Sequence, residues 1–192
     1  MPFSNVLTTV LTSDYAVLLV THIVAQKSRP RFSRLFARLG KPERLKWAHD
    51  ERGALVIRPI MTKKFFLRQP SEAADGKDVA IARDLEETLE AHRATCVGMA
   101  ANMIGERKRI IAVVDEDGSI LVMMNPELVG WWNPYRAEEG CLSLPGTQET
   151  ERFERILVSY QDTLMRECQA EFTGRVAQAI QHEIDHCNGV LI

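Results

Sequence analysis

The sequence lacks a surplus of either charge, because 24 lysines and arginines stand against 26 aspartates and glutamates and the formal net charge is -2. Such a balance gives no electrostatic reason to expect a nucleic-acid partner. Cysteine pairs are also missing, since the four cysteines are far apart, none forms a CxxC pair and no convincing signal peptide is present. This pattern favours reduced thiols in a cytosol-like compartment. Apolar runs are short, and the one at residues 15–25 falls below the roughly 20 residues that a membrane span needs, so no span is expected.

What is present is an ordinary globular composition that changes character along the chain. With 45% apolar and 26% charged residues, 192 residues predict one domain with an appendage. We expect residues 56–192 to form the domain and residues 1–55 to be an N-terminal extension. Within residues 1–42 the only acidic side chain is Asp14, and the apolar spacing over residues 31–39 predicts a basic amphipathic helix. Three interpretations stay open for this segment: a loosely ordered extension, an organelle transit peptide or a membrane-surface helix.

The apolar pattern of residues 56–192 predicts both helices and strands. Apolar residues at helical spacing predict amphipathic helices over residues 78–94 and 175–189. Alternating or β-branched runs predict three strands, the first two joined as a hairpin by a Gly-containing turn: residues 109–115, 120–129 and 155–162.

The strongest chemical signal is HEIDH at residues 182–186. Two histidines four apart on a helix project from one face, so His182 and His186 can bind the same metal ion, and Glu183 lies close enough to act on a water held there. A catalytic site needs a third protein ligand from elsewhere in the chain.

Four side chains are candidates for that third ligand: Cys141, Glu138, Glu139 and Cys187. Cys187 follows His186 directly, so on a helix it points about 100° away from that ligand and is expected to be a small buried residue. Cys141 lies in EEGCLSLPG, where Gly140 permits close approach of the backbone. Together with HEIDH, a Cys-His-His set is the favoured interpretation.

Three segments in order, GMAA (98–101), EGCLS (139–143) and QHEIDH (181–186), resemble the signature motifs of the peptide deformylases, G-x-G-L-A-A-x-Q, E-G-C-L-S and Q-H-E-x-D-H. The resemblance covers roughly residues 56–192. It implies an α+β fold with antiparallel sheets packed around the central HExxH helix. It also implies hydrolysis of the formyl group from the N-formylmethionine of nascent chains at the ribosome.

The resemblance also implies roles for individual residues. Cys141, His182 and His186 would bind one divalent metal ion, which in this family is commonly Fe(II), although Zn(II) or another ion can replace it. Glu183 would be the general acid and base, and the backbone N–H of Leu142 would point at the substrate oxyanion. Gly98 and the first-motif position held here by Met103 would line the substrate groove.

Two departures from the family pattern affect the expected activity and location. Met103 stands where the family has a glutamine whose amide donates to the oxyanion, and a thioether donates nothing. Losing one such donor typically costs about 2.7–4 kcal/mol, so we expect a reduced rate, or alternatively a catalytically impaired metal- and peptide-binding relative.

Rescue by Asn102 is not expected, because neighbouring side chains of an extended segment point to opposite sides. The stretch CVGMAANMIG (96–105) is therefore predicted to be a groove wall, with substrate backbone passing close to Gly98 and Ala100.

The second departure is the short end of the chain after HEIDH. Together with AANM and EGCLSL, it resembles a deformylase-like subgroup of Gram-positive bacteria. This favours a bacterial cytoplasmic protein over an organellar one whose residues 1–42 are a transit peptide.

Overall fold

A computed structural model describes residues 55–192 of the chain, so the predicted basic helix and most of the predicted extension lie outside the described residues. Within that part, no helix is long and apolar enough to cross a bilayer. The helices are α1 (Lys64–Leu67), α2 (Val79–Ala91) and α3 (Gly174–Cys187), with short 3-10 helices at Gly76–Asp78 and Ala101–Ile104. The strands are β1 (Gly98–Ala100), β2 (Ile110–Val114), β3 (Ile120–Cys141), β4 (Leu144–Gln161) and β5 (Glu167–Thr173).

The five strands form one antiparallel sheet in which each strand pairs with its neighbour along the chain. Together with the helices this confirms the predicted α+β class. The predicted hairpin is present, with Ile110 opposite Met124 and Val114 opposite Ile120.

The predicted end of the second strand of that hairpin, at residue 129, is wrong, because β3 continues to Cys141. Register shifts between Met124 and Glu127, and between Leu128 and Gly130, let the strand pass Pro126 and Gly130. Bulges of this kind accommodate residues that would otherwise interrupt a strand, and they bend it. The strand predicted at residues 155–162 is likewise too short, because β4 has 18 residues and runs over Leu144–Gln161.

The sheet is buried on both faces at β2, where side chains alternate between two cores. Ile111 and Val113 join the apolar cluster that contains α3, while Ile110 and Ala112 join the cluster that contains α2. One face of the sheet therefore packs on α3 and the other on α2, which places the HEIDH helix in the interior.

The apolar stripe of α3 explains its burial, and a left-handed residue ends it. Gly189 has φ 75°, Gly189 N–H donates to the His186 carbonyl at 3.1 Å, and Val190 N–H donates to the Asp185 carbonyl at 2.9 Å. These two bonds give carbonyls of the last turn a backbone donor from beyond the helix end. A Cβ at this glycine would also collide with the backbone of Arg68, so α3 ends at a fixed point after the HEIDH segment.

Candidate active site

The two histidines of HEIDH lie on the inner face of α3. His182 and His186 are one turn apart, both are buried, and their ring centroids are 5.0 Å apart. The sequence spacing alone predicted this arrangement, because positions i and i+4 share a face of a helix.

The third donor comes from the end of the long strand β3. Cys141 Sγ lies 3.2 Å from His186 Nε2, and one donor atom from each of Cys141, His182 and His186 lies within 4.8 Å of the others. The structure thus brings together the set that the resemblance implied. Cys187 does not belong to this group, since it is fully buried in the apolar cluster around α3 and burial raises the pKa of its thiol to about 12.

The donor group fits a divalent ion of the zinc or iron type. One sulfur and two imidazoles make a three-residue set, and such sets leave a coordination position open in catalytic sites. His182 Nδ1 lies 2.9 Å from Glu139 Oε2, which leaves Nε2 available to an ion. Burial is the main cause that lowers the pKa of His186, to about 3, and the neutral imidazole is the form that binds a metal.

Glu139, one of the sequence candidates for the third ligand, supports His182 instead. Its two carboxylate oxygens accept from Arg152 Nε at 2.9 Å and Nη2 at 2.8 Å, and Arg152 Nη1 donates to Asp185 Oδ2 at 2.7 Å. Burial raises the pKa of Glu139, but the hydrogen bonds with His182 and Arg152 outweigh it and lower that pKa to about 2. A charged Glu139 fixes the orientation of the His182 ring.

Sequence reasoning missed this support network. Glu139 lies in the EGC motif and Asp185 in HEIDH, so both belong to motifs that the sequence analysis had singled out. Nothing in the sequence pattern indicated that a buried Arg152 donates hydrogen bonds to both of them. Glu138, by contrast, is exposed and accepts a hydrogen bond from Thr147, so it is not part of the donor group.

Glu183 lies beside the donor group as a buried carboxyl with one free oxygen. Its Oε2 has no hydrogen-bond partner among residues 55–192, and burial raises the pKa of the carboxyl to about 7. Gly98 of β1 makes room for it, because a Cβ there would lie 2.7 Å from Glu183 Oε1. A carboxyl with a pKa near neutrality can both accept and return a proton.

An open cleft of about 240 Å³ runs past these groups. The predicted substrate-binding residues Gly98 and Met103 line it, as does Leu142, which is 37% exposed. The other cleft-lining residues are Thr95, Cys96, Val97, Glu138, Glu139, Gly140, Cys141, Arg175, Gln178, Ala179, His182 and Glu183.

The stretch 96–105 is part groove and part core, which corrects two expectations. Ala100 does not line the cleft and is buried in the apolar cluster around α3. The chain is also not extended through Asn102, because a 3-10 helix begins at Ala101 directly after β1. Asn102 turns toward α3, where its Nδ2 donates to the His186 carbonyl at 2.8 Å, so its amide points away from the cleft for a reason other than strand alternation.

Met103 is 1% exposed, and its sulfur is the acceptor for the backbone N–H of Ala100 at 3.5 Å. Within the described residues, neither Met103 nor its neighbour Asn102 directs a side-chain amide N–H into the cleft. Gln178 carries a side-chain amide that lines the cleft, and its Nε2 donates to Glu139 at 3.0 Å.

Comparisons with known proteins agree on one family. Residues 57–192 match the family described as polypeptide deformylase. A peptide deformylase of Clostridium beijerinckii is 44% identical over 137 residues, which cover 71% of this chain and 100% of that protein.

Solved structures are similar over the same part of the chain. The peptide deformylase from Thermus thermophilus aligns with a TM-score of 0.63 and 35% identity, covering 70% of this chain and 83% of that one. The class I type b peptide deformylase from Acinetobacter baumannii, in a structure bound to Met-Ala-Ser, aligns with a TM-score of 0.64 and 27% identity, covering 71% of this chain and 97% of that one.

Proposed function

The chain belongs to the peptide deformylase family, and on that premise we propose that it removes the N-formyl group from the formylmethionine of nascent polypeptides. Family membership makes it an enzyme of the deformylase class and implies a divalent metal ion. One observation carries the finer proposal: the free carboxylate oxygen of Glu183 lies beside the Cys141, His182 and His186 donors in an open cleft.

We assign the metal to those three donors, with Fe(II) as the native ion and Zn(II) as a substitute. When bound, such an ion acidifies water and polarises a carbonyl oxygen. Glu139 holds the His182 ring in place, and Arg152 holds Glu139, so the donors are preorganised by side chains from β3 and β4.

The proton moves through Glu183. Its Oε2 accepts a proton as water oxygen bonds to the formyl carbon, and it returns that proton to the methionine nitrogen as the formyl C–N bond breaks. Formate and a free amino terminus are the products. The backbone N–H of Leu142, at the rim of the cleft, is the proposed donor to the oxyanion.

The absence of a side-chain donor at Met103 supports a reduced rate, whereas the complete set of metal donors with Glu183 supports retained activity. The side-chain donor expected at this position is absent, while the three metal donors and Glu183 are all present in the described part of the chain. Since the metal donors and the base are complete, a purely binding role is the less favoured alternative. Action on chains at the ribosome and a bacterial cytoplasmic location stay predictions from the sequence.

The test is formate release from formyl-Met-Ala-Ser by the protein loaded anaerobically with Fe(II). We expect slow but measurable turnover, its loss in Glu183→Ala with metal content unchanged, and a loss of bound metal in Cys141→Ala. A Glu138→Ala variant is the matched control for a cleft carboxylate outside the donor group. No formate from the wild type with a full complement of metal would reject the proposal, and unchanged metal content in Cys141→Ala would remove Cys141 from the ligand set.

A further inference from the structure

One cationic side chain lies in the cleft away from the metal donors. Arg175 is in the first turn of α3, and residues 175, 178, 179 and 182 all line the cleft. Their spacing of three, four and seven puts them on one face of the helix. The cleft therefore follows α3 from the metal donors back to Arg175.

Arg175 is exposed, and among residues 55–192 it has no hydrogen-bond or ion-pair partner. It is also the only lysine or arginine among the cleft-lining residues of that part of the chain. The acidic residue Glu138 lines the same cleft without pairing with Arg175, and its carboxylate accepts a hydrogen bond from Thr147. The guanidinium is thus available to a ligand.

The neighbouring polar side chain, Gln178, is already engaged. Its Oε1 accepts from Tyr135 Oη at 3.0 Å and its Nε2 donates to Glu139 Oε1 at 3.0 Å. Both ends of its amide serve the network that holds His182, so Gln178 forms a fixed wall. Arg175 is therefore the group on this face of α3 that can discriminate between substrates by charge.

The distance along the helix indicates which part of a substrate reaches it. Seven residues separate Arg175 from His182, and at 1.5 Å per residue this is roughly 10 Å. An extended peptide advances about 3.3–3.6 Å per residue, so a chain whose formyl group lies at the metal donors presents its second or third residue near Arg175.

Building on the proposed function, we infer that Arg175 selects formylated chains that carry an acidic side chain at the second or third residue. The carboxylate of that side chain pairs with the guanidinium at the open end of the cleft. Because the pair is exposed, we expect a preference of about two- to fivefold over the neutral amide analogue. The preference should shrink as salt is raised, since screening acts over about 10 Å at 0.1 M.

The test compares kcat/KM for C-terminally amidated peptides, which carry no terminal carboxylate. Formyl-Met-Asp-Ser is measured against formyl-Met-Asn-Ser, and formyl-Met-Ala-Asp against formyl-Met-Ala-Asn, at low and high salt. For at least one pair the wild-type Asp/Asn ratio should be about two to five, fall to about one in Arg175→Gln and drop below one in Arg175→Glu. The control Arg136→Gln removes an equal charge from an exposed residue that does not line the cleft, and it should keep the wild-type ratio.

A wild-type ratio of one for both pairs at low salt would overturn the inference, as would a ratio that Arg175→Glu leaves unchanged. Binding separates this failure from failure of the proposed function. Deformylated Met-Asp-Ser and Met-Asn-Ser amides, and the corresponding Met-Ala-Asp pair, are titrated into the metal-loaded protein, and the ratios of Kd are compared between wild type and Arg175→Glu. If no peptide releases formate, the deformylase assignment fails, while the Kd ratios still support or reject the role of Arg175.

Discussion

Replacing Met103 by glutamine is the perturbation that bears most directly on the rate of this enzyme. Met103 is buried, lines the cleft, and uses its sulfur only as an acceptor for the Ala100 N–H. A glutamine of similar length can accept from that same N–H through Oε1 and direct its Nε2 donors into the cleft. The nearest amide, that of Asn102, is bonded to the His186 carbonyl and does not supply this donor.

The expected gain follows from the worth of one oxyanion donor. Adding it should recover up to about 2.7–4 kcal/mol of transition-state stabilisation, or a factor on the order of 10²–10³ in kcat. Burying an amide in place of a thioether should cost about 1–3 kcal/mol of folding free energy. We therefore expect kcat to rise by at least about tenfold while the melting temperature falls by several degrees.

The assay is steady-state formate release from formyl-Met-Ala-Ser at equal metal content, with thermal unfolding measured in parallel. Met103→Leu is the matched control, because it keeps an apolar side chain of similar volume and adds no donor. A Met103→Gln protein that folds and binds metal without a higher kcat would refute the prediction, and so would an equal rise in Met103→Leu.

Three further changes test the support of the site and the stability of the fold. Gly98→Ala places a methyl group against the Glu183 carboxylate, so kcat should fall at least roughly tenfold in the formate assay with metal content retained; unchanged kcat would contradict the close approach. Arg152→Met leaves Glu139 buried without its cation and should cost about 3–5 kcal/mol in denaturant unfolding, whereas a loss below about 1 kcal/mol would show the pair to be dispensable. Burial raises the pKa of Asp162, but hydrogen bonds from the β4–β5 turn outweigh burial and lower that pKa in the folded protein. The stabilisation by Asp162 is therefore complete above the pKa of the unfolded chain, and it is lost as the pH falls through the lower pKa of the folded protein. Asp162→Asn should therefore lower the free energy of unfolding by about 1–3 kcal/mol at neutral pH. A difference in unfolding free energy between variant and wild type that did not narrow below about pH 4 would contradict this assignment.

Local patterns were enough to predict the elements that carry the chemistry. The spacing of HEIDH placed His182 and His186 on one face of a helix, because this depends only on helical geometry. The α+β class with antiparallel strands was also predicted correctly, through the resemblance of three short motifs. The length of β3 was not, since bulges carry the strand past Pro126 and pairing with β4 sustains it to Cys141.

The helix, its pair of histidines, the adjacent Glu183 and the methionine at position 103 could all be read from the chain, because each lies within a few consecutive residues. The remaining features of the site depend on tertiary packing. Folding brings Cys141 to His186 across 45 residues, makes Glu139 the support of His182, and directs Asn102 away from the cleft. These outcomes depend on how β1 and the β3–β4 hairpin pack against α3, and contacts between distant segments leave no periodic signal in a single chain.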